Sequence, residues 1–508
     1  VKVTMAVEFP KTSLRHEVMP VLTKSGCNAG ACHGYSLGKN GFKLSLRGQD
    51  PDPDYLAIAR DAASRRVNRL FPNSSLLIAK GRGDAPHEGG IRFSKDSLAD
   101  RILTSWVSQG TPEDLKDPAQ VVRVRVVPET LTLQPDQKHR LQLIADYTDG
   151  TARDVTRLAI FAANNTQFAT VDDEGLVKAG DSGETAIVVR FERTFAATSV
   201  TVLKPVPGFK PSPVPTDHFI DKHVVEKLNR IRITPSPVAG DEEFLRRVYL
   251  DLIGVQPKPD EINAFVVNKA ANKREKLIDR LFRSPLFARH MATTLDVMLM
   301  ERRTNTNVSQ DEWQAWLLKS VQDNKPWNVL VREILTADGE DPAARAAARF
   351  CLDRAAEPNA IARDVGRIFF GRDMQCAQCH DSPLVTDFLQ HDYHGLLAFV
   401  STSAAVRKKV GDQETTILAE RSGNDLTFES VFIKGTTHRT GARILGEPLL
   451  AEPFFLPGDE YSVAPADGVR SVPKFSRRAM LAEQATSGAN RAVNENIANR
   501  SVSYTHLR

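Results

Sequence analysis

The feature that constrains this chain most is the placement of its cysteines. The sequence has five cysteines, and four of them form two close pairs, each followed directly by a histidine. In one pair, Cys376 and Cys379 precede His380 with the spacing C-x-x-C-H. Two thiols at this spacing can reach the two vinyl groups of a porphyrin, and the adjacent histidine can bind its iron. The sequence therefore predicts haem c attached through Cys376 and Cys379, with His380 as an axial ligand.

Two other interpretations of this motif stay open at this point. Cys376 and Cys379 could form a local disulfide, or they could supply half of a zinc site. A structural zinc ion needs about four protein ligands, and the sequence has no second C-x-x-C.

The other pair has a wider spacing. Cys27 and Cys32 are separated by four residues and precede His33, and Gly30 within the loop lets the longer segment bulge under a flat ring. After His33 the next histidine is His87, in a loop rich in glycine, whereas the next methionine comes only at Met291. We expect a second attachment site here, with His33 and His87 as the two axial ligands. The alternative is that His87 is a solvated loop residue.

Length and charge restrict the remaining possibilities. A chain of 508 residues is long enough for three or four domains. The formal net charge is +4 and no block of lysine and arginine occurs, so we expect no nucleic-acid partner. No apolar run is long enough to predict a transmembrane helix. The N-terminus, Val1–Met5, has no signal-peptide pattern, so either the chain is cytosolic or its signal peptide was removed or omitted. Haem is attached to cysteine outside the bacterial cytoplasm, so the haem prediction requires export to the periplasm or cell surface.

Changes in residue pattern divide the chain. Val122, Val124 and Val126 alternate with polar residues, and Asp149-Gly150 predicts a hairpin turn, so a β-sandwich is expected there. Asp241 is expected to cap a helix that ends at Gly254. The predicted organisation is a small all-α domain at 1–120, a β-sandwich at 121–205, a Pro-rich linker at 206–216, a mainly α-helical domain at 217–400, a loop-rich region with short strands at 401–474, and the start of a further domain at 475–508.

Four segments resemble known bacterial domains. The runs Gly26–Gly34, Gly38–Gly48 and Pro86–Gly90 resemble the planctomycete cytochrome-c-like domain. Tyr147–Val155 and Ala169–Val177 resemble the group 2 bacterial immunoglobulin-like domain, which is typical of exported proteins.

The other two resemblances lie further along the chain. Phe244–Gly254, Leu277–Leu281 and Cys376–Asp381 resemble a planctomycete cytochrome-associated domain of unknown function, the second of that name, over roughly 216–400. Arg477–Arg491 resembles the opening of a planctomycete domain that commonly follows; we expect only a truncated start of it, with disorder at 501–508.

The third resemblance also identifies a departure. That family usually reads C-x-x-C-H-x-H-P, and this chain has Ser382 in place of the second histidine. His391 and His394, on the next segment, could substitute for it, although neither stands at a position of the family motif. A five-coordinate iron and the absence of haem at this site are the two alternatives.

The expected function is that of an exported c-type-cytochrome-like protein that binds haem and transfers electrons to a redox partner not identified by the sequence. One alternative is a non-redox binding or scaffold protein at the cell surface, with disulfides at both cysteine pairs and a glycan or protein partner. A hydrolase is the other alternative. The sequence contains no nucleophile elbow, no H-E-x-x-H and no phosphate-binding loop, so whether the chain is an enzyme is left open.

Overall fold

The fold was obtained as a computed structural model. The structure describes residues 11–35, 37–114, 119–303, 305–379, 389–410, 413–423, 425–429, 437–488 and 490–506. The described residues form two compact units, an N-terminal unit that ends at Ser236 and a C-terminal unit that begins at Pro237.

The N-terminal unit begins with helices. A π-helical turn at Leu14–Val18 leads into the first of four α-helices, which are α1 (Met19–Lys24), α2 (Pro51–Ala59), α3 (Leu76–Arg82) and α4 (Leu98–Ser108). They pack around a buried core that includes Leu22, Ile58 and Trp106. The hydroxyl of Ser97 accepts a hydrogen bond from the backbone N–H of Asp100 and so caps α4.

Ten strands follow in the same unit. They are β1 (Val121–Val127), β2 (Thr130–Leu133), β3 (Lys138–Arg140), β4 (Gln142–Tyr147), β5 (Ala152–Asp154), β6 (Ile160–Ala163), β7 (Ala169–Val171), β8 (Leu176–Ala179), β9 (Gly183–Phe191) and β10 (Thr194–Val202). They form three sheets, with the orders β1-β4-β5, β2-β10-β9-β6 and β3-β8-β7. The predicted hairpin at Asp149-Gly150 joins β4 to β5, and Gly150 has the positive φ of 79° that such a turn requires.

A single hydrophobic core holds these strands together. The alternation predicted for β1 is present, because Val124 and Val126 are buried in this core whereas Val122 is exposed. After β10 the chain forms α5 (Phe219–Arg230), where the ammonium of Lys227 pairs with the carboxylate of Glu184 on β9.

The C-terminal unit is mainly helical. Its helices are α6 (Asp241–Ile253), α7 (Pro259–Val267), α8 (Lys273–Phe282), α9 (Pro285–Met300), α10 (Gln310–Gln322), α11 (Trp327–Thr336), α12 (Arg349–Leu352), α13 (Pro358–Ile368), α14 (Gln390–Val400), α15 (Arg477–Thr486) and α16 (Arg491–His506). Its strands pair as three two-stranded sheets, which are β11 (Ser403–Val410) with β12 (Gln413–Glu420), β13 (Leu426–Phe428) with β14 (His438–Thr440), and β15 (Tyr461–Val463) with β16 (Val472–Pro473).

The expected mixture of helical segments and small separate sheets is therefore observed. One detail of α6 differs from the prediction. The capping residue is Gly240, and Asp241 is the first helical residue, held by ion pairs to Lys273 and Arg274. Gly254 ends this helix with a φ of 71°, as predicted.

The prediction of disorder at 501–508 is wrong for the residues that the structure describes, because α16 continues to His506. The preceding turns of this helix are anchored. The side-chain amide of Asn496 donates hydrogen bonds to the carbonyl oxygens of Ile368 (2.7 Å) and Phe369 (3.2 Å), at the end of α13. Within the described residues, no helix is long and apolar enough to cross a membrane.

Candidate functional site

Backbone hydrogen bonds fix the loop that carries the first cysteine pair. The amide of Cys27 donates to the carbonyl of Leu22 at the end of α1, and the amide of His33 donates to the carbonyl of Cys27. The amide of Leu44 in turn donates to the carbonyl of His33. A Cβ atom at Gly34 would lie 2.1 Å from the backbone oxygen of Asn28, so only glycine fits directly after His33.

The structure brings the predicted axial ligands together. The imidazoles of His33 and His87 lie with their ring centres 6.2 Å apart and their planes 5° from parallel. A metal–imidazole bond is about 2 Å long. Two imidazoles bound to opposite sides of one iron therefore have their ring centres about 6 Å apart, since each centre lies about 1 Å behind its ligating nitrogen. The 6.2 Å between the ring centres in the structure is close to that separation.

Hydrogen bonds also set which nitrogen of each ring is available. Nδ1 of His33 lies 3.0 Å from the carbonyl oxygen of Phe42, and Nδ1 of His87 lies 3.2 Å from that of Gly90. A carbonyl oxygen can only accept, so Nδ1 carries the proton in both rings and Nε2 keeps its lone pair. Metal-binding histidines are usually oriented by such a bond to the other ring nitrogen.

The loop between His87 and Arg92 packs against the imidazole of His87 and the thiol of Cys32. A Cβ atom at Gly89 would lie 2.6 Å from Cε1 of His87, so the ring can fold over the loop only because this residue is glycine. A guanidinium nitrogen of Arg92 lies 3.6 Å from the sulfur of Cys32. Arg92 is a site residue that the sequence prediction missed. No local sequence pattern signals it, because its contact with Cys32 joins residues sixty positions apart.

Burial favours the uncharged forms of Cys27 and His33. It raises the pKa of Cys27 to about 11, an effect that the charge of Arg92 opposes. It also lowers the pKa of His33, against the hydrogen bond to Phe42. At neutral pH the loop therefore presents a protonated thiol at Cys27 and a neutral imidazole at His33, which is the form that binds a metal.

Apolar side chains next to both histidines are exposed. Tyr35 and Leu37, just after His33, are 48% and 69% exposed, and Ile91, four residues after His87, is 73% exposed. Large hydrophobic side chains that flank a site on both sides provide the environment that a flat apolar ligand would cover.

The second cysteine pair is built differently. A 3₁₀ turn spans Cys376–Gln378, and both Cys376 and Cys379 are exposed. His380, predicted as the axial ligand, lies outside the described residues.

His394 on α14 lies against this turn. Its ring donates a hydrogen bond to the backbone carbonyl of Gln378, between the two cysteines, and stacks on Phe428 with centres 4.3 Å apart. Nε2 of His394 is buried and has no hydrogen-bond partner among the described residues, so Nδ1 makes the bond to Gln378. Burial lowers the pKa of His394 and keeps the ring neutral. The other candidate, His391, is less suited to this role, because its Nδ1 is paired with the guanidinium of Arg443.

The donor groups do not converge as they would on a bare metal ion. Within the described parts of the chain, no group of three or more histidine, cysteine, aspartate or glutamate side chains is arranged to hold an ion. All five cysteines are free thiols. Asp296, a carboxylate of the helical region, accepts hydrogen bonds from Nε1 of Trp313 (2.7 Å) and from the side-chain amide of Gln314 (2.8 Å). These bonds give Asp296 a structural role.

The geometry thus defines a protein with two Cys–His segments, each with an oriented imidazole beside it. Residues 219–405 match the model of the family PSCyt2, described as a protein of unknown function (DUF1549). This confirms the planctomycete cytochrome-associated domain predicted for roughly 216–400. The match covers less than half of the chain, and the resemblances of the other segments stay predictions. No curated protein matches the chain.

Proposed function

We propose that this chain is an exported c-type-cytochrome-like protein that binds haem at Cys27, Cys32, His33 and His87 and takes part in electron transfer. The observation that supports the proposal most strongly is the parallel pair of His33 and His87, 6.2 Å apart. Both rings have Nδ1 held by a backbone carbonyl. A solvated loop histidine needs neither arrangement.

The residues present fit haem c. Cys27 and Cys32 would form the thioether links, and His33 and His87 would bind the iron from opposite sides. The bound group would supply a one-electron couple whose potential depends on the axial ligands and on burial. The protein contributes orientation, through the carbonyls of Phe42 and Gly90, and positive charge beside Cys32 through Arg92.

A second haem at Cys376 and Cys379 is part of the proposal. We assign His394 as the ligand opposite His380, because its buried Nε2 has no partner in the described residues and its other ring nitrogen is fixed to Gln378, within the motif. An unpaired buried nitrogen costs about 1–3 kcal/mol. A metal bond would offset that cost. His394 thereby replaces the histidine that Ser382 displaces from the family pattern.

The identities of the other domains follow the same proposal. Residues 1–120 would be the planctomycete cytochrome-c-like domain, and the strands of 121–205 a group 2 bacterial immunoglobulin-like domain. The three sheets around one core support the latter. Such modules are typical of exported proteins, which agrees with haem attachment in the periplasm or at the cell surface.

The experiment is to express the chain with a signal peptide and a haem-maturation system and to stain a denaturing gel for haem peroxidase activity. We expect a stained band at the mass of the chain, and a pyridine haemochrome spectrum of thioether-linked haem. Cys27→Ala/Cys32→Ala and Cys376→Ala/Cys379→Ala should each remove one of two haems per chain.

Cys351→Ala is the matched control, because Cys351 is a buried free cysteine outside both motifs. It should keep the full haem content. No stain and no Soret band in the wild type would overturn the proposal. Cysteine pairs that resist thiol labelling before reduction, in a haem-free protein, would instead support the disulfide-stabilised scaffold.

A further inference from the structure

A cavity in the N-terminal unit carries an inference that does not depend on haem. It is enclosed by α1, by the loop at 47–51 and by the strands β1, β9 and their neighbours. The cavity volume is about 110 Å³, counted as the space open to the centre of a water molecule. On the same measure, a single water needs about 10–15 Å³. The cavity therefore has room for a small polyatomic ligand.

The wall of this cavity is rich in arginine. Four arginines are among its lining residues, namely Arg15, Arg47, Arg190 and Arg193. Arg190 lies on β9, opposite Ile160 of β6 in the register of the sheet, so its backbone is held within the sheet. Arg47 lies in a short turn with a φ of 54°, where its amide donates to the carbonyl of Asn28. Backbone contacts therefore hold both residues in place.

Two carboxylates belong to the cavity region, Glu192 in its wall and Asp50 in the loop at 47–51, where burial raises the pKa of Asp50. Glu192 pairs with Nδ1 of His16 at 2.6 Å, and Asp52 pairs with Arg15 at 3.0 Å. For Arg47 and Arg190, the described residues provide no carboxylate partner. Burial, and then the charge of Arg47, lower the pKa of Arg190 to about 10. A half-buried guanidinium next to a like charge is unfavourable unless an anion balances it.

We infer that this cavity is a binding site for a small oxyanion of the phosphate type, held between Arg47 and Arg190. The guanidinium group is planar and presents its N–H donors in a fork that matches the oxygens of phosphate. Two such forks facing one cavity suit a doubly charged tetrahedral anion better than chloride. Thr23 and Gln120 also line the cavity and supply polar groups at its edge.

The test is isothermal titration of the full-length chain with inorganic phosphate, in a buffer free of phosphate and sulfate and at constant ionic strength. We expect saturable binding to the wild type, with at least tenfold weaker binding in Arg47→Gln and in Arg190→Gln. Sulfate should compete with phosphate, and chloride at the same ionic strength should not.

Arg140→Gln is the matched control, because Arg140 is an exposed arginine of the same unit that pairs with Glu174 away from the cavity. It should bind phosphate as the wild type does. Thermal unfolding adds an independent readout: phosphate should raise the Tm of the wild type and of Arg140→Gln, but not that of Arg190→Gln. If Arg190→Gln does not fold, Arg47→Gln, on the loop, gives the same comparison.

The absence of phosphate binding by the wild type would overturn the inference, as would equal affinity in the wild type and in both cavity variants. Haem content is measured on the same samples. Binding that persists in haem-free chains would support the site even if the proposed electron-transfer function failed.

Discussion

The two cysteine pairs differ in a way that their spacing does not predict. The motif at 376–380 has the standard C-x-x-C-H spacing, and the motif at 27–33 has a loop two residues longer. Yet the longer motif has two described imidazoles close together with parallel rings, His33 and His87. Beside the standard motif, the described residues offer one such imidazole, His394.

This difference shows that thiol spacing and axial ligation are separate requirements. The spacing of two cysteines decides whether they can reach the edge of a porphyrin. The second ligand comes from elsewhere in the chain, so tertiary packing decides whether it is present. The proposed ligands at both sites share one arrangement, in which a backbone carbonyl (of Phe42, Gly90 or Gln378) accepts a hydrogen bond from Nδ1.

The largest expected effect comes from removing His87. In a chain whose only attachment site is the first one (Cys376→Ala/Cys379→Ala), His87→Ala should convert the spectrum from low-spin, six-coordinate to high-spin. Haem should stay covalently attached, because both thiols remain. Added imidazole should restore the low-spin spectrum by entering the vacated position. An unchanged spectrum would show that His87 is not a ligand.

His394→Ala should have the corresponding effect at the other site, measured in Cys27→Ala/Cys32→Ala. The change in the spectrum should be smaller than that caused by His87→Ala if another group of the chain can approach the iron at this site. His391→Ala is the matched control, since His391 is held by Arg443. Should His391→Ala, and not His394→Ala, change the spin state, the assignment of ligands on α14 would be reversed.

Gly89→Ala should have an intermediate effect at the first site. The new Cβ atom would lie 2.6 Å from Cε1 of His87, so the imidazole has to move. We expect a mixture of low-spin and high-spin forms, read from the electron paramagnetic resonance spectrum. Gly90→Ala is a poor control, because Gly90 has a positive φ of 69°. Glu88→Ala leaves the backbone free of strain and should keep the wild-type spectrum.

The haem-free protein gives a test through stability. His394→Phe keeps an aromatic ring stacked on Phe428 and removes the unpaired Nε2, although it also leaves the carbonyl of Gln378 without its donor. The two effects oppose each other, so we expect the free energy of unfolding to change by less than about 1–3 kcal/mol, the cost of one unsatisfied buried group. A clear loss of stability in urea denaturation would indicate that His394 is a structural residue.

The smallest effect is on pH dependence. Burial lowers the pKa of both His33 and His394, so each should titrate below the ordinary value of about 6.5 in the haem-free chain. As the pH falls, both imidazoles bind a proton in the unfolded chain before they do so in the folded chain. The contribution of the two neutral rings to stability is therefore full above about pH 6.5 and is lost as the pH falls through the folded pKa. Histidine-selective NMR titration measures this. A folded pKa above 6.5 for either ring would contradict it.

Much of the architecture could be predicted from local pattern. The alternation of Val124 and Val126, the Asp149-Gly150 turn and the end of α6 at Gly254 depend on short-range preferences. The disorder predicted for 501–508 was wrong for the described residues, 501–506, because the contacts of Asn496 with Ile368 and Phe369, which anchor α16, join residues far apart in the sequence.

The sites show the same limit. His33 and His87 could be paired from sequence because few ligand-type residues follow the first motif. The contact of Arg92 with Cys32 and the burial of Nε2 of His394 depend on how loops and helices pack, which no local pattern states. Arg47 and Arg190 both line the cavity, although one lies in a turn and the other in a strand more than a hundred residues later. Their proximity could not be predicted from sequence.

The most direct test of the central claim is the electron paramagnetic resonance spectrum of the purified Cys376→Ala/Cys379→Ala chain, expressed with a haem-maturation system. A denaturing gel stained for haem shows whether the haem is covalently attached. We predict one covalent haem per chain with the low-spin signal of two axial imidazoles. A chain without covalent haem, or a covalent haem with a purely high-spin signal, would contradict the assignment of His33 and His87 as an axial pair.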